Sequence, residues 1–215
     1  MARTPAFAVA AVALAALLAG CGSDEARRPD RANFTTALND YLAQRGHLCL
    51  GKYDWPITVA AGSRDADAWQ MPVLEKVGFV AARPTTVARA GAAPLAAMQY
   101  ALTGEGEKHY LHVPIVIRTS TRKVVHPADL CAATLTLDRL TGWDAPQTRD
   151  GRTATSLLFT YRIAPEDWAR TPQVLQAFPV LARALEGEGT TQLRLGVHLT
   201  DRGWVADELD DLPPN

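Results

Sequence analysis

Hydrophobic positions recur at helical spacing in the first third of the chain and with a period of two in the last third. Between Asn33 and Gly46, the residues Phe34, Leu38, Tyr41 and Leu42 fall on one helical face. Asn33 can cap that helix, and Gly46 can end it in a left-handed conformation. Residues 47–60 predict an extended stretch broken by Gly51 and Pro56. Met71, Leu74 and Val77 share a second helical face with Gly78 as its stop, and Pro72 predicts a kink or a fresh start inside it. Residues 82–97, rich in Ala, Pro and Gly, follow neither period and read as a loop. Residues 98–113 then read as strand, turn, strand around the motif Leu102-Thr-x-x-Gly.

The C-terminal pattern is cleaner. "CAATLTLDRLTGW" from Cys131 is strand-like, and Leu157, Phe159, Tyr161 and Ile163 alternate with Ser156, Leu158, Thr160 and Arg162. Pro165, Glu166 and Asp167 resemble a helix first turn, and Thr171-Pro172 restarts the helix. Leu175, Phe178, Ala182 and Leu185 supply its buried stripe, with a kink expected at Pro179. Leu193, Leu195, Val197 and Leu199 alternate in a further strand, and a second Leu-Thr-x-x-Gly turn leads to a last strand carrying Trp204. The expected fold is α+β. An N-terminal helical part, residues 33–117, precedes a β-β-α-β-β part, residues 118–215, in which a small antiparallel sheet carries one kinked helix. The helix ending "LEKVGFV" followed by "YALTGEGEKHYL" resembles the last helix and wing hairpin of winged-helix domains, across residues 65–112.

Charge removes one class of function. With 22 basic and 23 acidic side chains the net charge is −1, which leaves no basic excess for nucleic acid. The N-terminus adds an address. Arg3 precedes an uncharged run from Ala6 to Gly20, about the length of a signal-peptide core and short for a membrane span. The run ends in "LLAG" before Cys21, which resembles the lipobox of bacterial lipoproteins. That resemblance implies that residues 1–20 are a cleaved signal peptide. It also implies that Cys21 is acylated and that the mature protein is anchored to a membrane by its fatty chains. Residues 21–32, "CGSDEARRPDRA", are small and charged and read as a flexible tether. Gly22 and Ser23 in place of an Asp after the cysteine point to the outer membrane. With Cys21 acylated, Cys49 and Cys131 remain, and in an oxidising compartment they are expected to form a disulfide, the alternative being two buried thiols. Stretches such as "CLGKYDWP", "FTYRIAPEDWARTP" and "LTDRGWVA" resemble those of predicted bacterial envelope lipoproteins, a resemblance that implies no activity.

The chemistry is sparse. No nucleophile elbow, phosphate loop or His-Glu-x-x-His motif occurs, so no catalytic residue, metal or cofactor is expected. His109 and His112 lie three apart on a strand-like run and point to opposite faces. Asp65 and Asp67 read as acids at a helix start. The most varied stretch is "GKYDWPI", where Lys52, Tyr53, Asp54 and Trp55 form a candidate recognition loop. The competing reading packs Tyr53 and Trp55 on the domain and turns Lys52 and Asp54 to water. The expected function is that of a lipid-anchored, periplasm-facing envelope lipoprotein, a non-enzymatic structural or binding module with an envelope protein as a candidate partner. The alternative is a periplasmic enzyme or enzyme regulator whose site assembles only in the fold.

Overall fold

The computed structural model of the protein describes residues 21–112 and 114–210. The apolar run read as a signal peptide, residues 1–20, lies outside the described residues. The chain opens with a short helix, α1 (Cys21–Ala26), and the long helix α2 (Arg31–Arg45). Asp30, not Asn33, caps α2: its carboxylate accepts the Asn33 backbone N–H at 3.0 Å. The Asn33 side chain donates instead to the carbonyls of Glu25 and Arg28. Residues 27 and 28, within the segment read as a tether, lie against the sheet described below, because the Trp204 indole N–H is directed at both their carbonyls at 3.2 Å. Gly46 ends α2 with φ −74°, outside the left-handed region. Glycine is needed there for another reason: a Cβ would stand 2.5 Å from the Leu135 carbonyl of a neighbouring strand.

The strands β1 (His47–Cys49) and β2 (Ile57–Ala60) precede helix α3 (Asp67–Val77). Then follow β3 (Val80–Arg89), β4 (Ala92–Leu102), the short α4 (Gly104–Glu107) and β5 (Tyr110–Leu111). The hairpin β6 (Ile115–Arg118) and β7 (Lys123–His126) leads to β8 (Asp129–Trp143), β9 (Gln147–Arg149) and β10 (Arg152–Pro165). A 3₁₀ turn at Asp167–Arg170, α5 (Pro172–Ala177) and α6 (Pro179–Glu186) return the chain to β11 (Leu193–Thr200) and β12 (Gly203–Ala206).

The expected fold class is wrong. Strand outweighs helix, and the dominant element is one seven-stranded antiparallel sheet, ordered β1-β8-β10-β11-β12 with β5 on β8 and β9 on β10. The supposedly separate N-terminal part supplies β1 and β5 to that sheet and α2 to its core. No winged helix forms either. A single helix, α3, stands between β2 and β3, so among the described residues no helix-turn-helix precedes the hairpin. Residues 82–97, expected as a loop, lie mostly in the β3–β4 hairpin, which with β2 forms a separate three-stranded sheet. That hairpin shows no alternation because most of its side chains are exposed. The first Leu-Thr-x-x-Gly motif is not a hairpin turn. Thr103 caps α4, its hydroxyl accepting the Gly106 N–H at 3.1 Å, and β5 pairs with β8 instead of β4. The second motif does form the expected tight turn, between β11 and β12.

The buried face of β10 agrees with its alternation, but two covers share it. Leu157 and Phe159 pack with Phe34, Leu38 and Leu42 of α2, and with Leu195, Val197 and Trp204. Tyr161 and Ile163 pack with Val174, Phe178 and Leu181, and with Met71 and Leu74 of α3. The single kinked helix is in fact three short segments, with Pro172 and Pro179 each opening one. Two register shifts leave Thr141 and Asp138 of β8 as extra residues against β10. Bulges of this kind increase strand twist, which curls the sheet around its helical covers. The extra residues bond across to β10. The Asp138 carboxylate accepts from Thr160 at 2.8 Å, and the Thr141 hydroxyl donates to the Leu158 carbonyl at 2.9 Å.

Candidate functional site

The root of the site is where β1 meets β8. Cys49 and Cys131 are register partners on these strands and form a disulfide, with Cα atoms 3.8 Å apart. Beyond Cys49 the chain turns through Gly51, whose φ of +71° suits glycine. The turn aims the backbone N–H groups of Gly51 and Lys52 at one carboxylate. Asp129, at the start of β8 and 1% exposed, accepts them at 3.0 and 2.6 Å. Burial raises its pKa above the ordinary carboxylate value, while the backbone donors and the Lys52 charge oppose the rise.

Lys52 does not face a ligand or water. Its side chain is 7% exposed, and its Nζ sits 2.6 Å from Asp67 Oδ1 on the first turn of α3. Asp67 therefore has a tertiary partner besides its place at a helix start, whereas the Asp65 carboxylate accepts a local bond from Ser63. Of the rest of the loop, Asp54 is exposed, Tyr53 is half-buried, and Trp55 is half-buried against the core cluster that includes Met71 and Leu74. The Trp55 indole N–H donates to the Lys52 carbonyl at 3.1 Å, and the Trp55–Pro56 peptide is cis. The Tyr53 carbonyl accepts the Tyr110 hydroxyl of β5 at 2.6 Å. The Tyr53 ring stacks on His126 of β7, centroids 3.6 Å apart, and His126 Nδ1 lies 3.3 Å from Asp54 Oδ1.

These contacts leave a cleft of about 630 Å³ lined by Tyr53, Asp54, Trp55, Leu102, Glu107, Tyr110 and His112. Three of the four sequence-stretch candidates, Tyr53, Asp54 and Trp55, line it, and Lys52 braces the loop from behind. Burial, then Asp54 and Asp129, raise the Tyr110 pKa. Glu107, Tyr110, His112 and the bracing Asp129 belong to elements distant in sequence, and sequence reasoning did not link them to the loop. Cys21 begins α1, away from these elements in the chain.

A second cleft, of about 600 Å³, is lined by Phe79, His109, Glu166 and Trp168 among others. His109 thus lines this cleft while His112 lines the first. Trp168 meets Phe79 edge-on at 4.7 Å, and its indole nitrogen is buried without a hydrogen-bond partner among the described residues. Among the described residues no cluster of His, Cys, Asp or Glu has metal-binding geometry, and no helix is long and apolar enough to cross a membrane. Comparison with family models, with curated proteins and with solved structures finds no match.

Proposed function

We propose that the protein is a bacterial envelope lipoprotein, acylated at Cys21, whose periplasm-facing domain is a non-enzymatic binding module. The observation that carries the reading is "LLAGC" closing an uncharged run just ahead of a folded domain. The Cys49–Cys131 disulfide supports an oxidising compartment. The cleft beside residues 53–55 supports binding: aromatic rings, two carboxylates and the His112 imidazole line it. Gly22 and Ser23 favour the outer membrane, with an envelope protein as a further candidate partner.

Gradient separation of inner and outer membranes, with mass spectrometry of the N-terminal peptide, tests the reading. A thioether-linked diacylglyceryl group on Cys21 is expected, and Cys21→Ser should give unprocessed or soluble protein. An unmodified Cys21 in membrane-extracted protein would overturn it.

A further inference from the structure

We infer that the cleft beside Tyr53 takes an organic ammonium ligand, an inference that rests on the binding-module reading and names the ligand class. The polar ends of two rings are already spent inward: the Trp55 indole N–H on the Lys52 carbonyl, and the Tyr110 hydroxyl on the Tyr53 carbonyl. What Trp55 and Tyr110 offer a ligand is therefore their ring surface, the negative part of an aromatic quadrupole. Asp54 and Glu107 stand in the same cleft, and the Asp54 side chain is 75% exposed. His126 Nδ1 reaches it at 3.3 Å from the side of Tyr53.

Among the described residues, no Lys or Arg lines the cleft. The lysine nearest in sequence, Lys52, is buried against Asp67, and Lys108 is paired with Glu105. Aromatic faces and two carboxylates, with no Lys or Arg among the described lining residues, suit a positively charged, weakly hydrated group. The two carboxylates disfavour phosphate or carboxylate ligands by like-charge repulsion. Neutral sugars could stack on the same rings, but they would draw little from the charge.

Choline and its neutral isostere 3,3-dimethyl-1-butanol separate these contributions. Each is titrated into the full chain in a polyoxyethylene detergent and followed by ring resonances of Tyr and Trp. Choline should bind at least tenfold more tightly than the isostere. The double variant Asp54→Asn, Glu107→Gln should lose at least fivefold in choline affinity, with an unchanged thermal midpoint to show that it folds. Arg194→Gln, whose partner Asp144 lies outside the cleft, should leave choline binding unaltered. Failure of choline to bind, equal binding of the isostere, or indifference to the double variant would overturn the inference. So would chitooligosaccharide binding that ignores the double variant, which would make the cleft a glycan site. Acylation of Cys21 is scored separately, so an acylated protein that ignores choline loses the ligand class and keeps the anchor.

Discussion

Replacing Asp129 should loosen the whole loop that shapes the cleft. Its carboxylate is 1% exposed and holds the Gly51 and Lys52 N–H groups at 3.0 and 2.6 Å. Asp129→Ala leaves both donors without an acceptor. A buried, orphaned donor costs about 1–3 kcal/mol, so the gross loss is about 2–6 kcal/mol. Freeing the fold from a buried carboxylate offsets part of it, which leaves an expected destabilisation of about 2–4 kcal/mol. Asp129→Asn keeps one acceptor oxygen and should lose less. The pH dependence has a definite sign. Burial raises the folded-state pKa above the ordinary 3.8, so the folded state holds this proton more tightly than the unfolded chain. The stability it contributes is full below 3.8 and is lost as pH rises through the raised value. The wild type should therefore gain on Asp129→Asn as pH falls from neutral towards that range. Urea denaturation followed by Trp fluorescence at several pH values measures both effects. Asp129→Ala within about 0.5 kcal/mol of wild type, the spread of ordinary surface changes, would refute the clamp. A difference between wild type and Asn that moves the opposite way with pH would refute the burial argument.

Phe159 is 2% exposed between α2 and β11, so Phe159→Ala should cost about 3–5 kcal/mol in chemical denaturation. Thr160, its neighbour on the opposite face, is itself buried and donates to Asp138; Thr160→Ala should cost about 1 kcal/mol, and a loss equal to that of Phe159→Ala would mean the faces are misassigned. The disulfide closes a loop of 82 positions, so Cys49→Ala with Cys131→Ala should cost up to about 4–5 kcal/mol by chain entropy, measured as a shift in the urea midpoint. A double variant as stable as wild type would show that the crosslink constrains little.

The fold was legible where burial follows a single strand or helix. Leu157, Phe159, Tyr161 and Ile163 are buried because residues two apart on a strand share a face, and one face meets the core. The same pattern could not say what covers that face. Phe34 and Leu38 present as good a stripe as the one read at Leu175, Phe178, Ala182 and Leu185, of which Phe178 is fully buried beside Val174 and Leu181, and a stripe carries no partner label. The division near residue 117 failed for that reason: β1 joins β8 across 82 positions through backbone bonds and one disulfide, neither of which leaves a hydrophobic period. The β3–β4 hairpin failed differently. Its exposed Ala, Thr and Arg side chains give no alternation, while backbone pairing runs the length of the two strands.

The site was legible as a loop and illegible as an assembly. Chemical variety marks "KYDW", and Tyr53, Asp54 and Trp55 do line a cleft. Lys52 inverts the expectation because a lysine can be buried when a carboxylate meets it, and Asp67 reads equally well as a helix-start acid. Asp129 left no trace either, since an acid opening a strand looks like any turn residue until two backbone N–H groups are found pointing at it. The residues that hold the loop thus differ from those that face the cleft. Disulfide, buried carboxylate and buried ammonium each fix the backbone within four residues of Tyr53. A loop fastened in this way has little left to order when a ligand arrives. Cys49, Lys52 and Asp129 should therefore govern affinity as firmly as Tyr53 and Trp55, although none of the three lines the cleft.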